Sequence, residues 1–544
     1  MTHRIWLLLA ITACGYSGDS SSGAADDPGG GGGVSFGGQQ DIGEFRGILE
    51  TGGVPGPDTL DANGFFNEHY NEPPASDCTD PLCLTPGVSV GRDWLTGNHQ
   101  ATLQIAINTN VDPTTLTRKP LNLVVVVDHS GSMWDDQRLE KVKVGLHQLV
   151  DNLAEGDRIA LVQFDDRVDV LAPFAETPNK DQLHTLITNL TPRGATNIYD
   201  GLATGFDLAS EAFSNDRQNR VIFLSDGQAT AGNTSSPAII SMTDGYVEQG
   251  IGLTTIGVGL SFDVKLMRGL AEHGAGNFYF IEDAAAATEV FDQELDYFVT
   301  PLALDVKVTA AAGGGWRLGE VIGTSMWSST STGGAVAIPA VFVASRTSQG
   351  PDPGRRGGGS MLFVHLTPTG NNVDGKVADL ELSYRLPGSS QIVTQKITLA
   401  YPNDPAETPT ETYLSAPEMA ERYAMYNMFL GLRFATKSTD YNCATTALQA
   451  TKSNAATWNL THEDPDITAD IALIDMYIAN LRTHGAAGES TLTTCGADNP
   501  YGDDEDYYGE HGHHHAHCSA GGNPRSLVVI ALAGLLTLRR RRRR

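Results

Sequence analysis

Residues 121–133 read LNLVVVVDHSGSM. Within them, 124–128 is a β-branched run that closes on a carboxylate, Asp128, the pattern of a buried strand with charge at its carboxyl end. Two hydroxyls follow at once, on Ser130 and Ser132. A hard divalent cation takes oxygen ligands, so these three residues are candidate metal ligands.

Working outward, residues 121–300 alternate strand-like and helix-like text. Leu139, Val142, Leu146, Leu149, Val150 and Leu153 recur at helical spacing and form one apolar face. Strands are expected at 159–164, 220–225, 253–258 and 278–281, and helices at 182–190, 198–213 and 264–272. Apolar strands between amphipathic helices predict an α/β fold, Rossmann-like, with a mainly parallel, doubly wound sheet covered on both faces. In such a sheet the loops at the carboxyl ends of the strands gather on one edge, and ligands bind where the strand order switches. Asp128 ends one strand and Asp226, in VIFLSDG, ends another. Thr196, in RGATNIYDGL, precedes a helix starting near the same edge.

The ordered set DHSGS, GATNIYDGL and FLSDG, extended by TTIGVG and GNFYFI, resembles the von Willebrand factor A (VWA) domain with its metal-ion-dependent adhesion site, or MIDAS. That resemblance assigns the five metal positions to Asp128, Ser130, Ser132, Thr196 and Asp226. It implies Mg2+, with Mn2+ or Ca2+ as alternatives, and recognition of a partner protein through an acidic oxygen that completes the ion's coordination; a glycan is a second possible partner. Hydroxyl ligands leave much of the ion's charge available for that oxygen. His129, between the ligands, is read as an ordinary loop residue.

Residues 301–402 alternate or run apolar with β-formers split by Gly-rich turns, which predicts an antiparallel β module with 351–360 as a loop. Residues 403–495 should be helical. Ser415 with Glu418 reads as a capping box opening one helix, and a second is expected over 467–481. The lead-in, 41–120, holds a strand over 101–108. Its Arg46, Leu49, Gly52, Pro55, Pro57, Asp58 and Asn67 resemble, in order, the lead-in of a subfamily of exported bacterial VWA proteins, although the subfamily's acidic pair is replaced by Asn63-Gly64.

Both ends read as addresses. Residues 1–13 have a basic residue, a short apolar run and a small residue, the layout of an export signal. Ile11-Thr12-Ala13-Cys14 resembles a bacterial lipobox, which implies a lipoprotein lipidated on Cys14; a plain secretory signal is the alternative. Residues 14–40 form a Gly/Ser-rich tether. At the other end, Cys518 and its small neighbours, the apolar run 527–538 and six arginines resemble the myxobacterial C-terminal sorting signal (MYXO-CTERM), in segment 520–544. As a helix that run spans only about 18 Å, short of the about 30 Å of a hydrocarbon core, though a weak tail anchor remains the other reading. With Cys14 and Cys518 placed in these signals, Cys78 with Cys83 and Cys443 with Cys495 are expected as disulfides in an oxidising compartment, ahead of a zinc site. The acidic, His-rich linker 496–519 reads as a solvated stalk, or as a scavenger of zinc, copper or nickel.

The formal charge of −29 argues against nucleic acid. No HExxH, no P-loop and no general base beside the ligands are present, which argues against an enzyme such as a metal-dependent hydrolase. The chain is therefore expected to be an extracytoplasmic adhesion protein anchored to the cell envelope, at the outer membrane or cell surface. A self-assembling structural envelope component is the alternative.

Overall fold

The computed structural model describes residues 32–35, 42–69, 77–111, 118–175, 178–259, 263–281, 287, 288, 290, 291, 300–343, 360–369, 375–401, 413–488 and 490–495. The Cys14 and Cys518 signals, the tether up to residue 31, the 351–359 part of the expected loop and the His-rich linker lie outside them. Among the described residues no helix is long and apolar enough to cross a membrane.

From residue 121 the chain runs β1 (Leu121–Asp128), α1 (Arg138–Asp151), β2 (Arg158–Phe164), β3 (Val168–Ala172), α2 (Lys180–Thr188) and α3 (Ile198–Glu211). It continues through β4 (Gln218–Ser225), α4 (Ser236–Val247), β5 (Ile251–Val258), α5 (Val264–His273) and β6 (Phe278–Ile281). The sheet order is β6-β5-β4-β1-β2-β3. All its pairs are parallel except the last, β2 with β3. The expected α/β architecture is thus present.

β1 is buried along its whole length, and its side chains alternate between two cores. Leu121, Leu123, Val125 and Val127 join Leu139, Val142, Leu146 and Leu149 of α1. Val124 and Val126 face the other way, against Ile198, Leu202 and Phe206 of α3. Each fully buried Val or Leu contributes about 1.5–3 kcal/mol, so this run fixes the strand at the centre of the sheet. Gly205 lets α3 lie close: a Cβ there would come within 2.5 Å of the Val126 side chain. The sequence reading missed α4 and β3. α4 buries only Ile239 and Thr243, and β3 is a partly exposed edge strand, so neither carries a strong apolar period.

The expected β module exists, but its boundaries differ from 301–402. Its antiparallel sheet runs Trp316–Ile322, Met361–Pro368, His99–Thr109, Gly32–Ser35, Gly333–Val343, Ala303–Ala312, Lys376–Arg385 and Ile392–Ala400. Strands from the lead-in and from beyond residue 300 are therefore interleaved, and one hydrophobic core contains Leu103 and Ile105 together with Val306 and Leu362. The α/β domain is an insertion between His99–Thr109 and Ala303–Ala312, and 41–120 is no separate unit. Local patterning finds strands but not their partners, because pairing across an insertion leaves no local period.

The helical region also departs from expectation, with three helices: Met419–Lys437, Tyr441–His462 and Pro465–Thr483. Tyr441–His462 was hidden by its Ala, Thr and Asn content. The Ser415 capping box is not formed: the helix begins at Met419, Glu418 makes no side-chain cap, and the Ser415 hydroxyl accepts from Val88 N across the module at 2.9 Å. The lead-in residues serve packing. Leu49 is buried, and the main chain at Leu49 and Gly53 accepts from Asn480 Nδ2 at 2.8 and 2.9 Å, tying the first helix, Gly43–Glu50, to the last. Arg268 of α5 joins the insertion to this scaffold through Asp61, and Glu272 accepts from Ser325 N and Oγ.

Candidate metal centre

In the sheet order, the chain leaves β1 towards β2 on one side and returns through β4 on the other, so the switch point lies between the carboxyl ends of β1 and β4. Asp128 closes β1, and Asp226 directly follows β4. Main-chain hydrogen bonds tie the three loops there. Gly131 N donates to Gly194 O at 3.1 Å, and Arg193 N to His129 O at 2.7 Å. Thr196 O accepts from Thr230 N and Ala231 N at 2.9 and 3.0 Å. Asp128, Ser130, Thr196 and Asp226 are buried, and Ser132 is half-buried. The fold thus draws the loops bearing all five sequence-predicted residues to one edge.

The donor set suits a hard cation. Asp128 Oδ1 accepts from Ser130 N at 2.8 Å, and the Ser130 and Ser132 hydroxyls stand 3.1 Å apart. Burial, followed by the neighbouring Asp226 carboxylate, pushes the Asp128 carboxyl up to about 7. Asp226 Oδ1 is buried without a hydrogen-bond partner. Two carboxylates that repel in a buried edge, one with an orphaned oxygen, fit a divalent ion that compensates both. Among the described residues no group of three or more His, Cys, Asp or Glu side chains could hold a metal, so this site rests on hydroxyls beside its two carboxylates.

Two positioning residues escaped the sequence reading. Ser225 Oγ donates to Asp128 Oδ2 at 2.6 Å and accepts from Gly227 N at 2.9 Å, fixing the Asp128 carboxylate. Its place next to Asp226 was the available signal. Arg138 Nη1 donates to Asp226 Oδ2 at 3.0 Å. Asp136 and Gln137 just before it take left-handed φ values of 48° and 55°, a turn that brings α1 in with Arg138 at its first residue. Only the fold brings Arg138, 88 residues away in sequence, to Asp226.

His129 is buried, with Nδ1 donating to Thr191 O at 2.9 Å. Trp134 is 75% exposed, two residues beyond Ser132. Both expected disulfides, Cys78–Cys83 and Cys443–Cys495, are formed. GxSxG, the nucleophile motif of many hydrolases, occurs twice, at 33–37 and 87–91. Ser89 of the second is buried in mid-strand, paired in register with Thr102, rather than on the strand-to-helix turn a nucleophile needs. The first begins in the strand Gly32–Ser35 and runs beyond the described residues.

A doubly wound sheet with an oxygen-rich switch-point edge defines a class of metal-edge α/β domain. Residues 122–293 match the family model of the von Willebrand factor type A domain, so the chain carries such a domain, and with it the expectation of a divalent-metal adhesion site. Over 196 residues the chain is 31% identical to the uncharacterised protein YfbK of Escherichia coli (strain K12), covering 36% of this chain and 34% of that protein. It is 32% identical over 196 residues to the uncharacterised protein sll0103 of Synechocystis, covering 36% of this chain and 45% of that protein. The matches therefore span less than half the length of these relatives. A von Willebrand factor type A structure from Catenulispora acidiphila aligns over 72% of this chain and 89% of that chain, with 15% identity and a TM-score of 0.47.

Proposed function

We propose that the chain is a binding protein of the cell envelope, exported and tethered there, that recognises a partner protein through a divalent cation at the edge formed by Asp128, Ser130, Ser132, Thr196 and Asp226. The observation that carries this reading is the buried pair Asp128 and Asp226 at the switch point, with Asp226 Oδ1 unpartnered. When bound, the ion supplies a positive charge able to accept one more oxygen ligand, and a partner carboxylate is the suited donor. The protein's own residues prepare for this. Ser225 and the Ser130 amide hold Asp128, and Arg138 holds Asp226 by one oxygen, leaving the other for the metal. Trp134 offers an apolar anchor beside the ligands. Mg2+ is the proposed ion, since few protein oxygens and retained waters suit it.

Binding rather than catalysis is proposed because a set of hydroxyls and carboxylates at a switch-point edge suits an ion that accepts one more oxygen from a partner. The test is capture from an envelope extract on immobilised full-length protein. Capture in Mg2+ should be lost in chelator and in Asp128→Ala; capture that survives both contradicts the proposal.

A further inference from the structure

A pair of nitrogen donors lies away from this oxygen edge. His147 projects from the middle of α1 and His184 from α2, and their Nδ1 atoms face each other at 2.7 Å. His147 is nine residues beyond Arg138, about 13 Å down the helix from the metal edge at 1.5 Å per residue. His184 Nε2 lies 3.1 Å from Asp151 Oδ1. With both rings neutral, the Asp151 carboxylate accepts from His184 Nε2–H, which leaves His184 Nδ1 a lone pair to which His147 Nδ1–H donates.

We propose that His147 and His184 form a site for a borderline transition-metal ion of the zinc, copper, nickel class, independent of the oxygen edge. On binding, His147 releases its Nδ1 proton to solvent or to its own Nε2, and both Nδ1 lone pairs converge on the ion. Zinc–nitrogen bonds of about 2.0–2.1 Å in tetrahedral geometry need the two nitrogens about 3.3 Å apart, so the rings must separate by roughly 0.6 Å. Both side chains are partly exposed. Asp151 supplies the outer carboxylate that orients a metal-binding histidine and strengthens its lone pair. Lys143, the nearby cation, pairs with Glu140 at 2.7 Å. Among the described residues no third His, Cys, Asp or Glu side chain completes the group, so waters fill the remaining positions and the affinity is modest.

The test uses the full chain, Zn2+ as the probe, and histidine acylation mapped peptide by peptide, which separates this pair from the histidines at 511–517. Micromolar Zn2+ should protect His147 and His184 together, and Mg2+ should not. In His147→Asn the protection of His184 should vanish, and Asp151→Asn should require roughly ten-fold more Zn2+, with circular dichroism confirming that each variant is folded. The proposal is overturned if Zn2+ leaves the two reactivities unchanged, as a simple histidine–histidine hydrogen bond would, if only one is protected, or if protection of His184 persists in His147→Asn.

Discussion

At the scale of single residues, the proposed metal edge divides into groups that would touch the ion and groups that hold them. Trp134 belongs to neither, since it faces solvent beside the ligands. Exchanging it for alanine should weaken partner capture about ten-fold or more, as loss of an aromatic anchor does, while Mg2+ affinity stays unchanged. Titration calorimetry with Mg2+ and quantitative pull-down separate the two effects. Unchanged capture would remove Trp134 from the interface. Of the site, Asp128, Ser130, Ser132, Thr196 and Asp226 were legible in the sequence because each sits in a short motif at a strand or helix end. Ser225 and Arg138 were not singled out, since their roles depend on side-chain directions that only the packed sheet defines.

His69 gives a prediction at the same scale. It is fully enclosed between the lead-in and the last helix, with Nδ1 2.9 Å from Phe65 O and Nε2 3.0 Å from Asp470 Oδ2. Burial alone would lower its pKa, but the Asp470 carboxylate, with Asp466 and Glu421 beyond it, outweighs that and raises it to about 10. A histidine whose folded pKa exceeds its unfolded value of 6.5 stabilises the fold most fully below 6.5, and that contribution disappears as pH rises through about 10. Thermal melts should therefore show a loss of stability between pH 7 and 10.5 that is smaller in His69→Gln. Parallel curves for the two proteins would refute the assignment.

Elements explain which parts of the fold were readable. β1, α1 and α3 carry strong apolar periods and appear where the sequence puts them. Tyr441–His462 does not carry one, and it is held by neighbours instead. Its first turn bears Cys443, bridged to Cys495 past the end of the last helix, a separation of 52 residues. Cross-linking so long a loop stabilises by about 2–4 kcal/mol, so replacing both cysteines by serine should lower unfolding free energy by that order. The bridge Cys78–Cys83 spans a sequence separation of only 5 and should matter less. Urea unfolding of the two double variants compares them directly, and an equal or reversed order would show that native-state packing, not loop closure, sets the effect.

On the scale of the molecule, the α/β domain is set as an insertion within an antiparallel scaffold whose strands come from both sides of it. Sequence patterning recovered the domain and the presence of β and helical regions, but it cut the scaffold at the wrong places because interleaved pairing is non-local. Arg268, Glu272, Asp61 and Ser325 link the insertion to the scaffold on α5, which follows the β5 strand of the sheet that carries the proposed metal edge. Mg2+ titrated by calorimetry into the full-length protein should bind one equivalent at the edge, and binding should be lost in Asp128→Ala and Asp226→Ala variants whose circular dichroism is unchanged. Mg2+ binding of equal strength and stoichiometry in wild type and in both variants would contradict the account.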